Sequence, residues 1–439
     1  MRPAAPLVAC VCASALGLVP ASASAQIFPL GGRVPSLFAS GGDGGRQHLD
    51  LTISTEAVSE NDLILPDLQS GFGLSPVPSN TFESAGMDLS YVRTFRESKF
   101  GVTGRTVVQS FPTARSAVSV QRAVSLAYDL QHRGTHLSVQ QSVNSFPLFS
   151  PDTAPDVFGP ASGAASAPVP VQNEAVASIA ALDSTTNVSL SQSLGRRVTL
   201  TSIGRVSYTT LGDNAASLRL YDVSGSLTYQ LTRDVGLVTG YGVQQGSYRF
   251  ATAPAPSLLN LQNINLGINY QRALSFSRRT SVGFSSGPMV IRDPLHGVTQ
   301  YAMGGEAHLT HEIGRTWQAT ASFNRSVTFL EGFLSPFLGD AGTATVSGQL
   351  SRRVTLSMIG SAWFGRDVSG GSASANWNQS AVGGMQTRIA LSRTTAFTAD
   401  ARYTRYRFAT TPAFITAAPL WIDQPSIRVG FDLWLPLFH

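Results

Sequence analysis

The sequence predicts an all-β fold, a transmembrane antiparallel up-and-down β-barrel of about 18 strands. Three observations carry this. Apolar and polar residues alternate over runs of about nine to twelve residues, the length a tilted strand needs to cross a bilayer. One hairpin unit occurs twice almost verbatim, as TVSGQLSRRVTLSMIGSAWF from Thr345 to Phe364 and as LSQSLGRRVTLTSIG from Leu190 to Gly204. Short Arg-bearing turns alternate with long connections rich in Pro, Gly, Ala and Ser, as in a barrel with short periplasmic turns and long extracellular loops.

The repeated unit sets the pattern. Val346, Gly348 and Leu350 alternate with Thr345, Ser347 and Gln349; on the way back Val354, Leu356, Met358, Gly360, Ala362 and Phe364 alternate with Thr355, Ser357, Ile359, Ser361 and Trp363. Only Ser351, Arg352 and Arg353 separate the two runs, which leaves room for a tight hairpin and nothing else.

Composition points the same way. Of 439 residues 43% are hydrophobic and 13% charged, about half the globular charge content. Ser, Thr, Asn, Gln and Gly supply the polarity, and no charged face repeats at the helical period. The formal charge of +5 is almost all arginine, with Lys99 the only lysine, and supports no nucleic-acid partner.

Residues 1–25 read as a signal peptide: Arg2, an apolar run from Leu7 to Val19, and the small-residue site Ala23-Ser24-Ala25. The competing lipoprotein reading of Leu7-Val8-Ala9-Cys10 has too short an apolar run before the cysteine. Both cysteines, Cys10 and Cys12, lie in this segment, so the mature chain from Gln26 has no disulfide and no Cys-based metal site. No other segment has 18 consecutive apolar residues.

Residues 26–47 form a Gly-rich, flexible periplasmic lead-in, and residues 48–439 form the barrel. His48 to Thr55 alternates, with Leu49, Leu51 and Ile53 on one face, and a loop bearing Pro66, Pro76 and Pro78 follows. From Ala85 onward eight hairpins turn near Arg96, Arg133, Arg196, Arg233, Arg278, Arg315, Arg352 and Arg393. With a first and a last strand they make the even count that returns both ends to one side. The longest connection, Phe146 to Thr185, is flexible or folds back on the barrel.

Individual strands show two faces. Tyr221, Val223, Gly225, Leu227, Tyr229 and Leu231 oppose Asp222, Ser224, Ser226, Thr228 and Gln230. Ile264, Leu266, Ile268 and Tyr270 oppose Asn263, Asn265, Asn269 and Gln271. Ile427, Val429, Phe431, Leu433 and Leu435 oppose Arg428, Gly430, Asp432 and Trp434. In hydrocarbon every backbone polar group must be paired, which a closed barrel achieves and an open sheet does not. Arg122 breaks the pattern, falling on the apolar parity of Val118, Val120, Val124 and Leu126. A bulge turning it inward, or a position near the headgroups, would resolve this.

On these features the chain resembles bacterial outer-membrane β-barrels, of the porin-like or exopolysaccharide-export type. The resemblance is one of class and covers nearly the whole mature chain. It implies outer-membrane lipid and the barrel assembly machinery as partners, with a last strand that ends in an aromatic residue. Here Phe438 is penultimate, His439 is last, and Pro436 interrupts the strand end.

Catalytic patterns are thin. Gly283-Phe284-Ser285-Ser286-Gly287 matches G-x-S-x-G, but the nucleophile elbow needs a strand-to-helix turn and this stretch is strand. His308 and His311 have opposite parity and cannot share a metal. Glu306 and His308 share the polar face, where a hydrogen-bonded pair on a wet wall is preferred over a base with its orienting group. Gly240-Tyr241-Gly242 has no βαβ unit around it. The sequence therefore predicts no enzyme, no cofactor and no metal.

The polar face is the candidate site. Its predicted lining is mostly Ser, Thr, Asn, Gln and Gly, around an aqueous channel. The residues singled out as pore-lining are Asp222, Ser224, Thr228, Asn265, Asn269, Glu306, His308, Asp400, Arg402, Arg428 and Asp432. They form no dense ring of one sign. Three functions follow: passage of polar solutes or a neutral polysaccharide, the latter with a periplasmic export partner; a surface adhesin or anchor displaying its loops; and an outer-membrane enzyme. A TonB-dependent receptor is disfavoured, because no plug domain fits before His48.

Overall fold

In a computed structural model, the chain is described over residues 35–38, 46–60, 63–67, 73–77, 80–111, 117–147, 180–211, 216–232, 234–250, 257–270, 280–293, 297–328, 337–368, 377–407 and 421–438. Dyad alternation becomes strand throughout. The strands are β1 (Gln47–Glu60), β2 (Leu63–Asp67), β3 (Gly73–Val77), β4 (Asn80–Thr94), β5 (Ser98–Phe111), β6 (Ala117–His132) and β7 (Thr135–Pro147). Then come β8 (Ala180–Ser193), β9 (Val198–Leu211), β10 (Ala216–Gln230), β11 (Val235–Phe250), β12 (Ser257–Tyr270), β13 (Thr280–Asp293) and β14 (Val298–Ile313). The last six are β15 (Trp317–Thr328), β16 (Phe337–Gln349), β17 (Val354–Asp367), β18 (Trp377–Ala390), β19 (Thr395–Arg407) and β20 (Trp421–Phe438).

Eighteen of these form one antiparallel sheet, each strand pairing with its sequence neighbour. The sheet closes on itself where β1 pairs with β20 on one edge and β4 on the other. Closure leaves no edge strand to satisfy. The separate β2–β3 ribbon occupies the connection expected to be an irregular loop. Pro66 and Pro76 are tolerated there because a two-stranded ribbon has free edges.

Barrel strands run from 12 to 18 residues, longer than the alternating runs suggested, so their ends extend past any band of bilayer thickness. Seven of the eight short turns fall where expected, the first two between β4 and β5 and between β6 and β7; the turn expected near Arg278 falls within residues 271–279, outside the described residues, as does Arg233 itself. At the β6–β7 turn Arg133 (φ 45) and Gly134 (φ 88) both take left-handed φ, as a two-residue hairpin matched to strand twist requires. The connection expected from Phe146 to Thr185 is shorter: strand pairing holds Phe146 and Pro147 in β7 and Ala180 to Thr185 in β8, and residues 148–179 lie outside the described residues.

Two faces result. Outward, Val223 is 59% exposed, Leu266 59% and Ile427 62%, part of an apolar exterior that includes Met87, Val124, Leu237, Phe284 and Phe431. Inward, Arg428 is 5% exposed and Asp432 3%. Aromatic pairs stud the exterior near the short turns, Tyr91 with Phe438 (ring centres 6.2 Å) and Phe397 with Phe431 (5.4 Å).

The expected break at Pro436 is absorbed. The β1–β20 register shifts between Leu49 and Asp50, which pair with Phe438 and Pro436, so a bulge at Leu437 lets the strand run to Phe438 despite the missing N–H. Arg122 has no such relief. Its register with Thr106 on one side and Ser145 on the other is continuous, and it points outward and is exposed. It stands about ten residues up from the short turn, roughly 25 Å at usual rise and tilt. That is the upper edge of an apolar band, where a lipid-facing Arg costs about 0–1 kcal/mol instead of about 2–4 at the midplane.

Candidate functional site

The inner face divides into two walls. The first spans six consecutive strands, β18, β19, β20, β1, β4 and β5, and straddles the seam where the first and last strands meet. Alternation puts one charged residue after another on its inner side, and register puts opposite signs side by side. Asp400 is opposite Arg428, Asp88 is opposite Arg105, and Asp432 is opposite Ser54. Arg105 Nε lies 3.5 Å from Asp88 Oδ1, and Arg402 Nη2 lies 3.8 Å from Asp400 Oδ1. Arg388 Nη2 donates to Asp432 Oδ2 across a strand. Glu56 lies over Gly430, whose missing side chain leaves it room.

These four arginines and four carboxylates border one cavity with Ser54, Gln386 and Thr398. Their charges cancel. Most are buried, so each depends on its neighbours for solvation; breaking such a pair by removing one partner costs far more than the pair contributes over an apolar replacement.

The second wall, β10 to β14, lies on the opposite side of the ring. Its half nearer the short turns is mostly neutral and hydrogen-bonding, with Ser224, Ser226 and Thr228 on β10 and Asn263 and Asn265 on β12. Asp222 stands opposite Arg205 of β9. On β13 and β14, Ser285 Oγ donates to Glu306 Oε1 at 3.0 Å, and the His308 imidazole lies against Gly283, where any Cβ would collide with it. Ser285 is mid-strand with a carboxylate as partner, so the elbow geometry is absent.

The half nearer the long loops departs from the expected lining of Ser, Thr, Asn, Gln and Gly. Leu218, Leu220, Tyr248, Leu259, Leu261, Met289 and Ile291 are all buried there. Four of them pack with Val327, Leu338 and Val368 into one apolar cluster. Val368 lies just past β17 and its carbonyl accepts from Gln300 Nε2 at 2.8 Å, so the chain after β17 turns toward β14. Leu259, Leu261, Met289 and Ile291 are apolar where Val327, Leu338 and Val368 pack on them.

A third feature belongs to the short-turn end. Within the lead-in, Pro35 and Phe38 are buried. Phe38 packs on Ala390, Ala396 and Trp434, and the Arg388 guanidinium sits 4.5 Å above its ring. Ser36 Oγ donates to the Arg352 carbonyl at 2.9 Å. The lead-in thus anchors on the last inward residues of the charged wall.

Of the predicted lining residues, Asp400, Arg402, Arg428 and Asp432 come together on the charged wall; Asp222, Ser224, Thr228, Asn265, Glu306 and His308 lie on the other. Asn269 is within β12, its side chain outside the described ones. Sequence reasoning missed Glu56, Asp88, Arg105 and Arg388. Each stands on the polar parity of its strand, but nothing within one strand says which charges its neighbours bring alongside. Among the described residues no group of His, Asp and Glu is placed to hold a metal.

No protein-family model matches the chain, and no curated protein matches it by sequence. Solved structures do. The siderophore receptor PirA of Pseudomonas aeruginosa aligns at 7% identity and a TM-score of 0.44, over 88% of this chain and 80% of its own. OpdQ of the same organism aligns at 9% and 0.43, over 89% and 98%. OccK2 (OpdF), solved with glucuronate, aligns at 9% and 0.42, over 89% and 98%.

Proposed function

We propose that the chain is an integral outer-membrane barrel whose lumen passes small polar solutes. The observation that supports this is the inversion of polarity in a closed 18-strand sheet: a continuous apolar exterior around an interior of ion pairs and hydrogen-bonding side chains. A sheet of this strand number encloses more space than side chains fill. Outer-membrane lipid and the barrel assembly machinery are its partners in this reading.

The cargo is hydroxyl-bearing. One wall offers neutral donors and acceptors, the other a balanced set of charges, and neither presents a single-sign ring that would select ions. A neutral polysaccharide, handed over by a periplasmic export partner, is the alternative cargo, favoured by the Asn263, Asn265 and Thr228 side.

Refolded protein in planar bilayers tests the reading. Discrete conductance steps with weak anion/cation preference are expected, and Arg402→Gln with Arg428→Gln should tilt the preference toward cations. Absence of steps from a correctly folded barrel would reject passage and favour a loop-displaying anchor.

A further inference from the structure

We propose that the outer face of β9–β14, at the rim nearer the long loops, binds the phosphorylated headgroup of an anionic glycolipid in the outer leaflet. The proposal rests on the membrane reading above and adds a ligand to a surface which that reading leaves as plain lipid contact.

Three arginines make the surface: Arg219 on β10, Arg249 on β11 and Arg292 on β13, all outward and exposed. Ser247 stands opposite Arg219 and Ser217 opposite Arg249, which makes the two arginines diagonal neighbours, about 7–8 Å apart at the backbone. Arg292 is opposite Asn260 of β12, the strand between. Beside them, the Arg219 guanidinium carbon lies 5.2 Å from the centre of the Tyr208 ring, a contact that uses none of its N–H donors.

Two things point to an anionic lipid. The first is height. The three stand roughly eleven to fourteen residues along their strands from the short-turn end, about 28–36 Å, just above an apolar band about 25 Å tall. Directly below on the same face come Tyr221, Val223 and Leu227 on β10 and Val243, Tyr241 and Leu237 on β11. The second is charge. Among the described side chains of β9–β14 no carboxylate stands on the outward parity; Asp222, Glu306 and Glu312 stand on the inward one, and the side chain of Asp293, at the end of β13, lies outside the described ones. Two exterior arginines at comparable height elsewhere are matched: Arg325 Nη1 lies 3.6 Å from Asp340 Oδ1, and Arg405 Nε lies 3.4 Å from Asp423 Oδ1. The β9–β14 arc therefore leaves its positive charge to be met from outside, at headgroup level, by groups that take Arg forks, which phosphates do.

The test uses the full barrel, with folding scored separately by heat-modifiable migration and insertion by flotation with phosphatidylcholine vesicles. Bis-phosphorylated lipid A retained per barrel is counted by native mass spectrometry, against the same lipid after dephosphorylation. The triple variant Arg219→Gln, Arg249→Gln, Arg292→Gln should retain at least about tenfold less phosphorylated lipid, since each surface arginine contributes to binding anionic headgroups. The double variant Arg249→Gln, Arg292→Gln, which keeps the Tyr208 stack, should fall between, and Arg405→Gln should match the parent. Equal retention by parent and both variants, or an equal loss in Arg405→Gln, overturns the proposal. Displacement of the lipid by inorganic phosphate at the same concentration also overturns it, since the site would then be one for free anions. Failure to float strikes the membrane reading instead and is visible without any lipid A.

Discussion

On the wall from β18 to β5, charged side chains pack against one another; on the wall from β10 to β14, most inward positions carry amides, hydroxyls, glycines and, farther up, aliphatic groups. Both walls obey the same alternation and stand behind the same apolar exterior. They differ in what their neighbours supply. An inward Asp or Arg is sustainable where register brings an opposite charge beside it, as Asp400 has Arg428 and Asp88 has Arg105. Where no such neighbour arrives, the inner face is mostly neutral, or apolar where Val327, Leu338 and Val368 pack on it. The charged wall also holds the seam where β1 pairs with β20, so it lies where the two ends of the chain are joined.

The sharpest way to break this contrast is to remove one partner of a buried pair. Asp432→Ala should lower the stability of the folded barrel by about 3–5 kcal/mol, read from urea titrations of tryptophan fluorescence, by stranding Arg388. Replacing both, Arg388→Met with Asp432→Leu, should recover most of the loss. If the single and double variants are equally unstable, the pair is not the source.

A smaller effect belongs to the foot of the same wall. Phe38→Ala should weaken docking of the lead-in by about 1.5–3 kcal/mol, the value of burying that side chain. Protease cleavage near residue 38 should accelerate while the barrel itself stays resistant. Unchanged cleavage would mean that Phe38 does not hold the segment.

Within the second wall, Gly283→Ala should cost about 1–3 kcal/mol by driving the His308 ring off the sheet. A shift in the His308 imidazole NMR signals without change elsewhere is the expected signature. The smallest effect is expected at Asn265→Ala: less than about 1 kcal/mol, because a neutral group facing water leaves no stranded charge. A loss as large as that of Asp432→Ala would erase the distinction between the walls.

Several of these features were legible in the residues. Alternation in Tyr221–Leu231 or Ile427–Leu435 is local, so it assigns inside and outside before any partner strand is known. The Arg-bearing turns likewise set the strand count, because connections of two to four residues, as at seven of the eight, permit only a hairpin. The charged wall was half legible: Arg402, Arg428, Asp400 and Asp432 stood out on two late strands, whereas Glu56, Asp88 and Arg105 lie more than 280 residues before those four in sequence.

What the sequence by itself determined is therefore periodic: strand, face, turn and the apolar exterior, each written within a few consecutive residues. Tertiary structure alone decided what depends on lateral register and on chain returning from a distance. Closure of β1 on β20 brought Glu56 over Gly430 and Asp432 beside Ser54; the turn of Val368 toward β14 made aliphatic residues suitable on an inner face; and the lead-in put Phe38 under Arg388. The physical reason is that side-chain direction follows from the local backbone, whereas the identity of a side chain's neighbour is set by contacts between segments far apart in the chain.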